Sequence, residues 1–590
     1  MHILTDRLLR DDLECNYKSY LRLQSQSCRA SDFSALCSRL DARYRESAFK
    51  SLVTQKSAGA VEQFENTRVQ DGMVRGDGLI LNAVGSSGEL TTHFDALERC
   101  SGESRLGTHR YRPIRFCRHQ RPSSVLRLLL AFDALVLSSL QGANSADGII
   151  VCGPAFRRMR IDLQTDIDHL APILRRLRHE LIENSEPPLV LNRHCDLCEF
   201  KHVCRNKAMN SDNLSLLKGM TSKEMTRYNA KGIFTINQLS YTFRLRRPAK
   251  RQKQHFRHNF ALQALALREK TVHVHGDPKL SLQPIQVYLD IEGLPDRTFY
   301  YLIGVLIVTP QSHQYHGFWA DDESGQTTIF AQFASIMAGN AGCKVFHYGN
   351  YEVSALRRML PQLPDEHQET LKVVLSDSIN ILSILGQHIY FPTTSNSLKE
   401  IAAHLGFNWA TSDASGLQSV VWREQWADTR DSTVKEKLLQ YNREDCLALR
   451  AVTQFIASVA RRESELQSEH FTTMKVIYTS ELQAIMRRKH RFGKAEFCLA
   501  DFQVINRSAY FDYQRSGANR RSVEYRKPSR NLPTKKRPRP KVNKRVEIRC
   551  KRCPHCGGRR VSEQRALSTR TVDIKFFNGG VKKWVTLYSA

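Results

Sequence analysis

The chain has 590 residues, 41% of them apolar and 25% charged, and 88 Lys and Arg against 59 Asp and Glu give a net charge of +29. The length suits about four domains, and the apolar share excludes a wholly disordered chain. The cationic excess predicts a polyanionic partner, most simply nucleic acid. The segment Met1 to Cys15 has no apolar run of the secretory type. The richest apolar stretch, Val125 to Leu137, is broken by Arg127 and Asp133 and is shorter than a bilayer span. Fifteen cysteines without an export signal argue against a disulfide framework. The expectation is a cytoplasmic protein with no membrane partner, whose closely spaced thiols bind a metal or cluster.

Residues 1–207 mix helices with strand-like runs. His194-Cys195-Asp-Leu-Cys198 continues to Cys204, a C-x2-C-x5-C run that needs one more ligand. Cys15 is the far candidate, and His194 or His202 would instead complete a Cys3His zinc site. Zinc and an iron–sulfur cluster both accept four cysteines, so spacing leaves the metal open. Cys28, Cys37, Cys100 and Cys152 lack such spacing and read as ordinary core or surface residues.

One cysteine near the start and three near the end of this region resemble the RecB-like nucleases, of PD-(D/E)XK-type fold. The resemblance implies that Cys15, Cys195, Cys198 and Cys204 hold a 4Fe-4S cluster joining the two ends. It also implies an Asp followed by an acid-x-Lys on the next strand. Asp95 fits the first requirement, but Arg115 and Cys117 stand where the acid and lysine belong, and no lysine occurs between Lys56 and Lys201. The expectation is a catalytically inactive domain that is structural or holds DNA.

Residues 208–270 read as helices, at Leu214 to Leu217, Lys218 to Lys223 and Ile233 to Leu239. With Gly219 and Gly232 they resemble a helix-hairpin-helix module, and a plain helical connector is the alternative. The basic run from Arg244 to Lys253 favours DNA contact.

Residues 281–465 alternate strands and helices. Strands are expected at Gln286 to Asp290, Tyr300 to Val308, Tyr315 to Trp319 and Lys344 to His347. Helices are expected at Thr327 to Met337 and Val434 to Val459. Three strands followed by βα alternation is the order of a ribonuclease-H-like α/β domain. In Val287-Tyr-Leu-Asp-Ile-Glu-Gly, Asp290 and Glu292 share one strand face. Paired acids beside apolar residues call for a hard divalent cation such as Mg²⁺ or Mn²⁺. Glu352 follows a strand and opens a helix, and Tyr441 and Asp445 share a helix face at i and i+4.

That order, with Ser397-Leu-Lys-Glu-Ile-Ala and Tyr441-Asn-Arg-Glu-Asp-Cys, resembles the DEDD exonuclease superfamily and within it the YprB-type ribonuclease-H-like domain. The resemblance implies two-metal phosphodiester hydrolysis, with the ions held by Asp290, Glu292 and Asp445. Tyr441 would orient or deprotonate the water, and Glu352 would stand where the superfamily has Asp. Asp377 is a reserve acid.

The segment 466–515 reads as a family-specific extension, through Ala509-Tyr-Phe-Asp-Tyr-Gln-Arg. Residues 516–590 carry 22 Lys and Arg against 4 Asp and Glu. Of these, 516–549 read as a basic, disordered linker. Residues 550–590 hold Cys550-Lys-Arg-Cys553-Pro-His-Cys556, which resembles the first knuckle of a zinc ribbon. Cys553 and Cys556 are its candidate zinc ligands. A hairpin at Thr571 to Phe577 and Val581 to Tyr588 follows, and no second knuckle, so a truncated ribbon is expected.

The fold class expected for the chain is thus multidomain α/β. A RecB-like PD-(D/E)XK-type domain is followed by a ribonuclease-H-like α/β domain and a partial zinc ribbon. The expected function is a metal-dependent nuclease of the 3′–5′ exonuclease type, acting on DNA in preference to RNA. The alternative is a catalytically inert nucleic-acid-binding protein, a fragment of a mobile-element or DNA-repair component.

Overall fold

The computed structural model describes residues 3–26, 28, 30–55, 61–63, 69–183, 185–243, 258–340, 342–411, 415–462, 474–482, 542–547, 568–577 and 580–589. The extension beyond 482, the basic run 244–253, most of the basic linker, and Cys550, Cys553 and Cys556 lie outside them. Contacts divide the chain into two units, Met1–Arg491 and Phe492–Ala590.

The first unit begins with β1 (Leu4–Thr5), α1 (Asp6–Glu14), α2 (Asn16–Leu23), α3 (Asp32–Gln55), β2 (Val61–Gln63) and α4 (Val69–Arg75). Long strands follow: β3 (Leu79–Ser87), β4 (Leu90–Ser104) and β5 (Gly107–Cys117). Then come α5 (Ser124–Gln141), β6 (Asp147–Cys152), β7 (Arg157–Asp162) and α6 (Gln164–Glu183). Among the described residues these strands form one sheet in the order β2-β3-β4-β5-β6-β7, with β1 beside β4. The neighbours β3, β4 and β5 are antiparallel, whereas β5 and β6 are parallel because α5 crosses between them. The Ser123 hydroxyl accepts the Leu126 N–H to start α5, and Gly142, at φ 62°, ends it. By length and composition α5 is apolar enough to cross a membrane. Here it is a core helix: Leu130, Phe132 and Leu137 are fully buried, and Asp133 among them meets the guanidinium of Arg115.

The next elements are short: α7 (Lys201–Asn210), α8 (Ser222–Asn229), α9 (Ile236–Ser240) and α10 (Phe260–Glu269). Capping boxes start two of them. Thr221 with Glu224 opens α8, and Thr235 with Gln238 opens α9. The helix expected at Leu214 to Leu217 is only a 3₁₀ turn, Leu214–Leu216. Asn213 caps it through Ser215 N–H, and Leu217 turns to extended backbone, so the segment has too few residues for an α-helical nucleus.

The rest of the unit comprises β8 (Val272–Val274), β9 (Gln286–Leu294), β10 (Phe299–Val308), β11 (His313–Trp319), α11 (Gln326–Gly339), β12 (Lys344–His347), α12 (Tyr351–Met359), α13 (Asp365–Asp377) and β13 (Ile379–Asn380). It closes with α14 (Ile381–His388), β14 (Ile389–Tyr390), α15 (Leu398–His404), α16 (Gly416–Thr429), α17 (Ser432–Arg461) and β15 (Val476–Tyr478). The main sheet runs β11-β10-β9-β12-β13. It is antiparallel through β11, β10 and β9, then parallel to β12 and β13. Every residue of β10 is buried, which an unbroken apolar strand requires when both sheet faces are covered. One face packs on α11, α12 and α16, and the other on α14, α15 and the C-terminal half of α17. A small sheet, β14-β8-β15, lies at the edge of the second core.

The second unit holds β16 (Lys544–Glu547), β17 (Ser568–Phe577) and β18 (Gly580–Ser589), with β18 between the other two. The antiparallel β17–β18 pair is the expected hairpin. The expectation of a wholly disordered 516–549 fails at β16, which pairs parallel with β18 from Lys544 to Glu547. A strand of this composition is tolerated at an edge, where the charged side chains stay in water.

Candidate metal centre

The central strand of the main sheet carries the site. On β9, Leu289 and Ile291 enter the core and leave Asp290 and Glu292 half-buried on the other face. Helix α17 crosses that face and brings Asp445 to them. One carboxylate oxygen from each of Asp290, Glu292 and Asp445 lies within 4.8 Å of the other two. Glu352, in the first turn of α12, is 4% exposed beside this group but is not in that tight set.

Neutral donors hold each acid in place. Asn442, wholly buried on α17, donates through Nδ2 to Asp290 Oδ2 at 2.6 Å and accepts from the Tyr315 hydroxyl at 2.8 Å. This needs a glycine on the neighbouring strand: Gly304 pairs with Asp290, and a Cβ there would stand 1.6 Å from Asn442 Oδ1. Ser419 Oγ on α16 donates to Glu292 Oε2 at 2.8 Å. Trp409 Nε1 donates to Asp445 Oδ1 at 2.7 Å, and the Tyr441 hydroxyl bonds the same carboxylate.

The electrostatics are those of crowded anions. Burial, then the charges of Asp445, Glu292 and Glu352, push Asp290 well above the usual carboxylate range. Burial and Asp445 raise Glu292 to about 8. Burial raises Asp445 to about 6, against the lowering by Trp409, Tyr441 and the ammonium of Lys399. Tyr441 is raised further, by burial first and Asp445 second. Glu352 Oε2 is buried without a hydrogen-bond donor, and His347 Nδ1 stands 3.7 Å away, also without one. Crowded carboxylates with an orphaned oxygen beside them fit a hard divalent cation.

The other expected residues fall elsewhere. Asp377 is exposed at the end of α13, where its carboxylate lies 3.6 Å from Lys344 Nζ, and it is no reserve acid for this site. Cys15, between α1 and α2, meets Cys195, Cys198 and Cys204 in one small core with Tyr17, Leu21 and Phe200. Cys28, set aside on spacing, packs against the same core. Burial raises Cys198 to about 11 and Cys204 to about 12. His194 is engaged by Glu14 Oε2 at 3.1 Å and Lys18 Nζ at 3.3 Å rather than by these thiols. Among the described residues, no three of these sulfurs lie within 4.8 Å of one another.

Asp95 on β4 and Arg115 and Cys117 on β5 line one cavity. Asp95 accepts Phe116 N–H at 2.9 Å and faces Arg45 at 2.9 Å. Arg115 is held by Asp133 at 2.6 Å and by Asp6 at 3.1 Å.

Sequence reasoning missed Asn442, Ser419, Trp409 and Gly304. Asn442 alone carried a signal, since it lies inside Tyr441-Asn-Arg-Glu-Asp.

Residues 287–457 match the family model of the RNase_H superfamily. No curated protein matches the chain. The matched region is a ribonuclease-H-like domain. With its carboxylate cluster it has the makings of a metal-dependent nuclease, whose implied substrate is nucleic acid.

Proposed function

We propose that the chain is a metal-dependent exonuclease working in the 3′–5′ direction, on DNA in preference to RNA, and that Asp290, Glu292 and Asp445 hold its Mg²⁺ or Mn²⁺ ions. The observation that carries this is the convergence of three carboxylates, each raised toward its protonated form by burial, with the charge of Asp445 adding to the rise of Asp290 and Glu292. When bound, the ions would supply an activated water and stabilise the leaving 3′ oxygen.

The chain's own residues set the geometry. Asn442 and Ser419 each donate to one oxygen of Asp290 and Glu292, which leaves the other oxygens for a cation. Trp409 fixes the Asp445 carboxylate in the same way. Tyr441 acts as a donor that orients water or phosphate. Its raised pKa opposes the other role read from sequence, deprotonation of the water. Glu352, with its orphaned oxygen, completes the acid set on the α12 side.

The N-terminal domain, in this reading, is a RecB-like domain without catalysis, because Arg45 and Arg115 occupy the surroundings of Asp95 with fixed positive charge. Its thiols Cys15, Cys195, Cys198 and Cys204 hold a 4Fe-4S cluster. Four converging thiols are the donor set of zinc as well as of a cluster, and the resemblance to the RecB-like nucleases is what favours the cluster.

The test is degradation of end-labelled single- and double-stranded DNA and RNA with Mn²⁺. Asp290→Asn and Asp445→Asn should each lose about 10²-fold or more in rate, since metal assistance is worth several kcal/mol, with nucleic-acid binding within about twofold of the parent. Parental rates in either variant would sink the assignment. Cleavage that starts internally would replace the exonuclease reading with an endonuclease.

A further inference from the structure

The N-terminal cavity has a chemistry that the proposed reaction does not use. It encloses about 350 Å³ between α1, α3, β4, β5 and the start of α5. Five arginines line it: Arg10, Arg45, Arg115, Arg118 and Arg121. Three acids, Glu14, Asp41 and Asp95, oppose them. No lysine lines it, and the aromatic rings of Tyr44 and Phe116 form part of the wall.

A cation does not suit this cavity. Asp95 Oδ2 accepts Phe116 N–H, its Oδ1 is neutralised by the guanidinium of Arg45 at 2.9 Å though not hydrogen-bonded to it, and Asp41 is 2.7 Å from Arg118. Arg115, 2% exposed and clamped by Asp133, keeps its charge inside the wall. Arg10 and Arg121 are exposed, and neither side chain forms an ion pair among the described residues. Their guanidiniums are free for an anion, and a planar guanidinium fork matches phosphate oxygens two at a time.

One cavity residue also reaches the turn that follows the metal-centre strand. Arg118 bridges Asp41 to Asp296, in the turn that joins β9 to β10. Asp296 lies four residues beyond Glu292, so at ~3.3 Å per residue the turn is within about 13 Å of that acid. A nucleic-acid strand covers that distance in about four steps of ~3.4 Å.

We infer that this arginine-lined cavity binds a backbone phosphodiester of the nucleic acid whose end is processed at the Asp290–Glu292–Asp445 centre. The inference rests on the nucleic-acid substrate of the proposed function but not on its catalysis.

The experiment uses the full chain in EDTA, so that nothing is cleaved. A labelled single-stranded 20-mer is titrated by fluorescence anisotropy between 50 and 200 mM salt. The expected result for the Arg10→Ala/Arg121→Ala double variant is affinity at least fivefold weaker at 100 mM salt. The salt slope should fall by about 0.7, the contribution of one phosphate contact on a single strand. Arg10→Lys/Arg121→Lys should recover most of the affinity. Both positions are exposed, and a melting curve matching the parent checks the fold. Unchanged affinity and slope would overturn the inference. A second arm titrates inorganic phosphate by calorimetry. Phosphate binding that the alanine variant loses, with oligonucleotide affinity intact, would make this a free-phosphate site and also overturn it. Weakened binding in a chain that proves unable to cut would leave this inference standing and remove the nuclease reading. Parental binding in a chain that cuts would do the reverse.

Discussion

Glu292 shows how the site couples protonation, metal and stability. Its carboxyl is raised from 4.5 to about 8. Between those pH values the folded, metal-free protein keeps a proton that the unfolded chain has released. Its stability therefore falls as pH rises through that window. Glu292→Gln removes the charge at no cost in size. In EDTA at pH 8 the variant should melt higher than the parent, by about 2–4 °C per kcal/mol relieved. With Mg²⁺ the order should reverse, because only the parent gains from the ion. A variant that melts lower in EDTA would mean that the carboxylates are not in repulsion. The same shifts predict that Mg²⁺ affinity rises from pH 6 to pH 8, with proton release on binding. Calorimetry in two buffers of different ionisation enthalpy measures that release. Gly304 makes a steric prediction. Gly304→Ala puts a methyl 1.6 Å from Asn442 Oδ1, so Asn442 must leave Asp290. Overpacking of this kind costs about 1–3 kcal/mol, and nuclease activity should fall with it. A parental melting point and rate would show that the Asn442–Asp290 bond is dispensable.

At the scale of elements, legibility followed periodicity. The Asp290–Glu292 pair was readable because period two along β9 puts alternate side chains on one face. Tyr441 and Asp445 were readable because α17 repeats every 3.6 residues. Ser419 and Trp409 were not, since each is a neutral residue on a distant element and acquires its role only when α16 folds onto β9 and the segment after α15 onto α17. Gly304 was hidden in an apolar strand, and its need is set by a side chain 138 positions later in the sequence. The exposure of Asp377 was equally invisible, because its helix phase was not decided by its neighbours in the chain. Among the cysteines, tight spacing picked out Cys195, Cys198 and Cys204, whereas Cys28 joins them only through the packing of the segment after α2. On the proposed 4Fe-4S reading, Cys15, Cys195, Cys198 and Cys204 would tie the α1–α2 corner to the start of α7. Protein purified without oxygen should therefore be brown, with broad visible absorbance. Cys198→Ser should bleach it and lower the melting point of the N-terminal part. Stoichiometric zinc without iron would reverse the choice of metal, and a colourless, equally stable variant of a colourless parent would remove the cluster altogether.

Across the whole molecule, charge is distributed so that binding and chemistry separate. In the first unit the N-terminal sheet and the ribonuclease-H-like sheet are joined by ion pairs. Arg118 meets Asp296, and Arg39 and Arg43 meet Asp428 at 3.6 and 3.5 Å. The proposed phosphate cavity and the metal centre thereby belong to one compact unit. Residues 516–590 carry a net +18, against +11 for residues 1–515. Each phosphate neutralised contributes roughly 0.9 to the log–log salt slope on duplex DNA, so the cations beyond 516 should dominate weak, sequence-independent attachment. Removing 516–590 should weaken binding at 50 mM salt and flatten its salt dependence by several units. Turnover at saturating substrate should stay within about twofold, because every proposed ligand of the divalent ions lies before residue 516. If the truncated chain keeps the parental salt slope, the C-terminal cations do not touch phosphate. If it binds normally but loses turnover, the second unit takes part in the chemistry, and the metal centre is not sufficient for it.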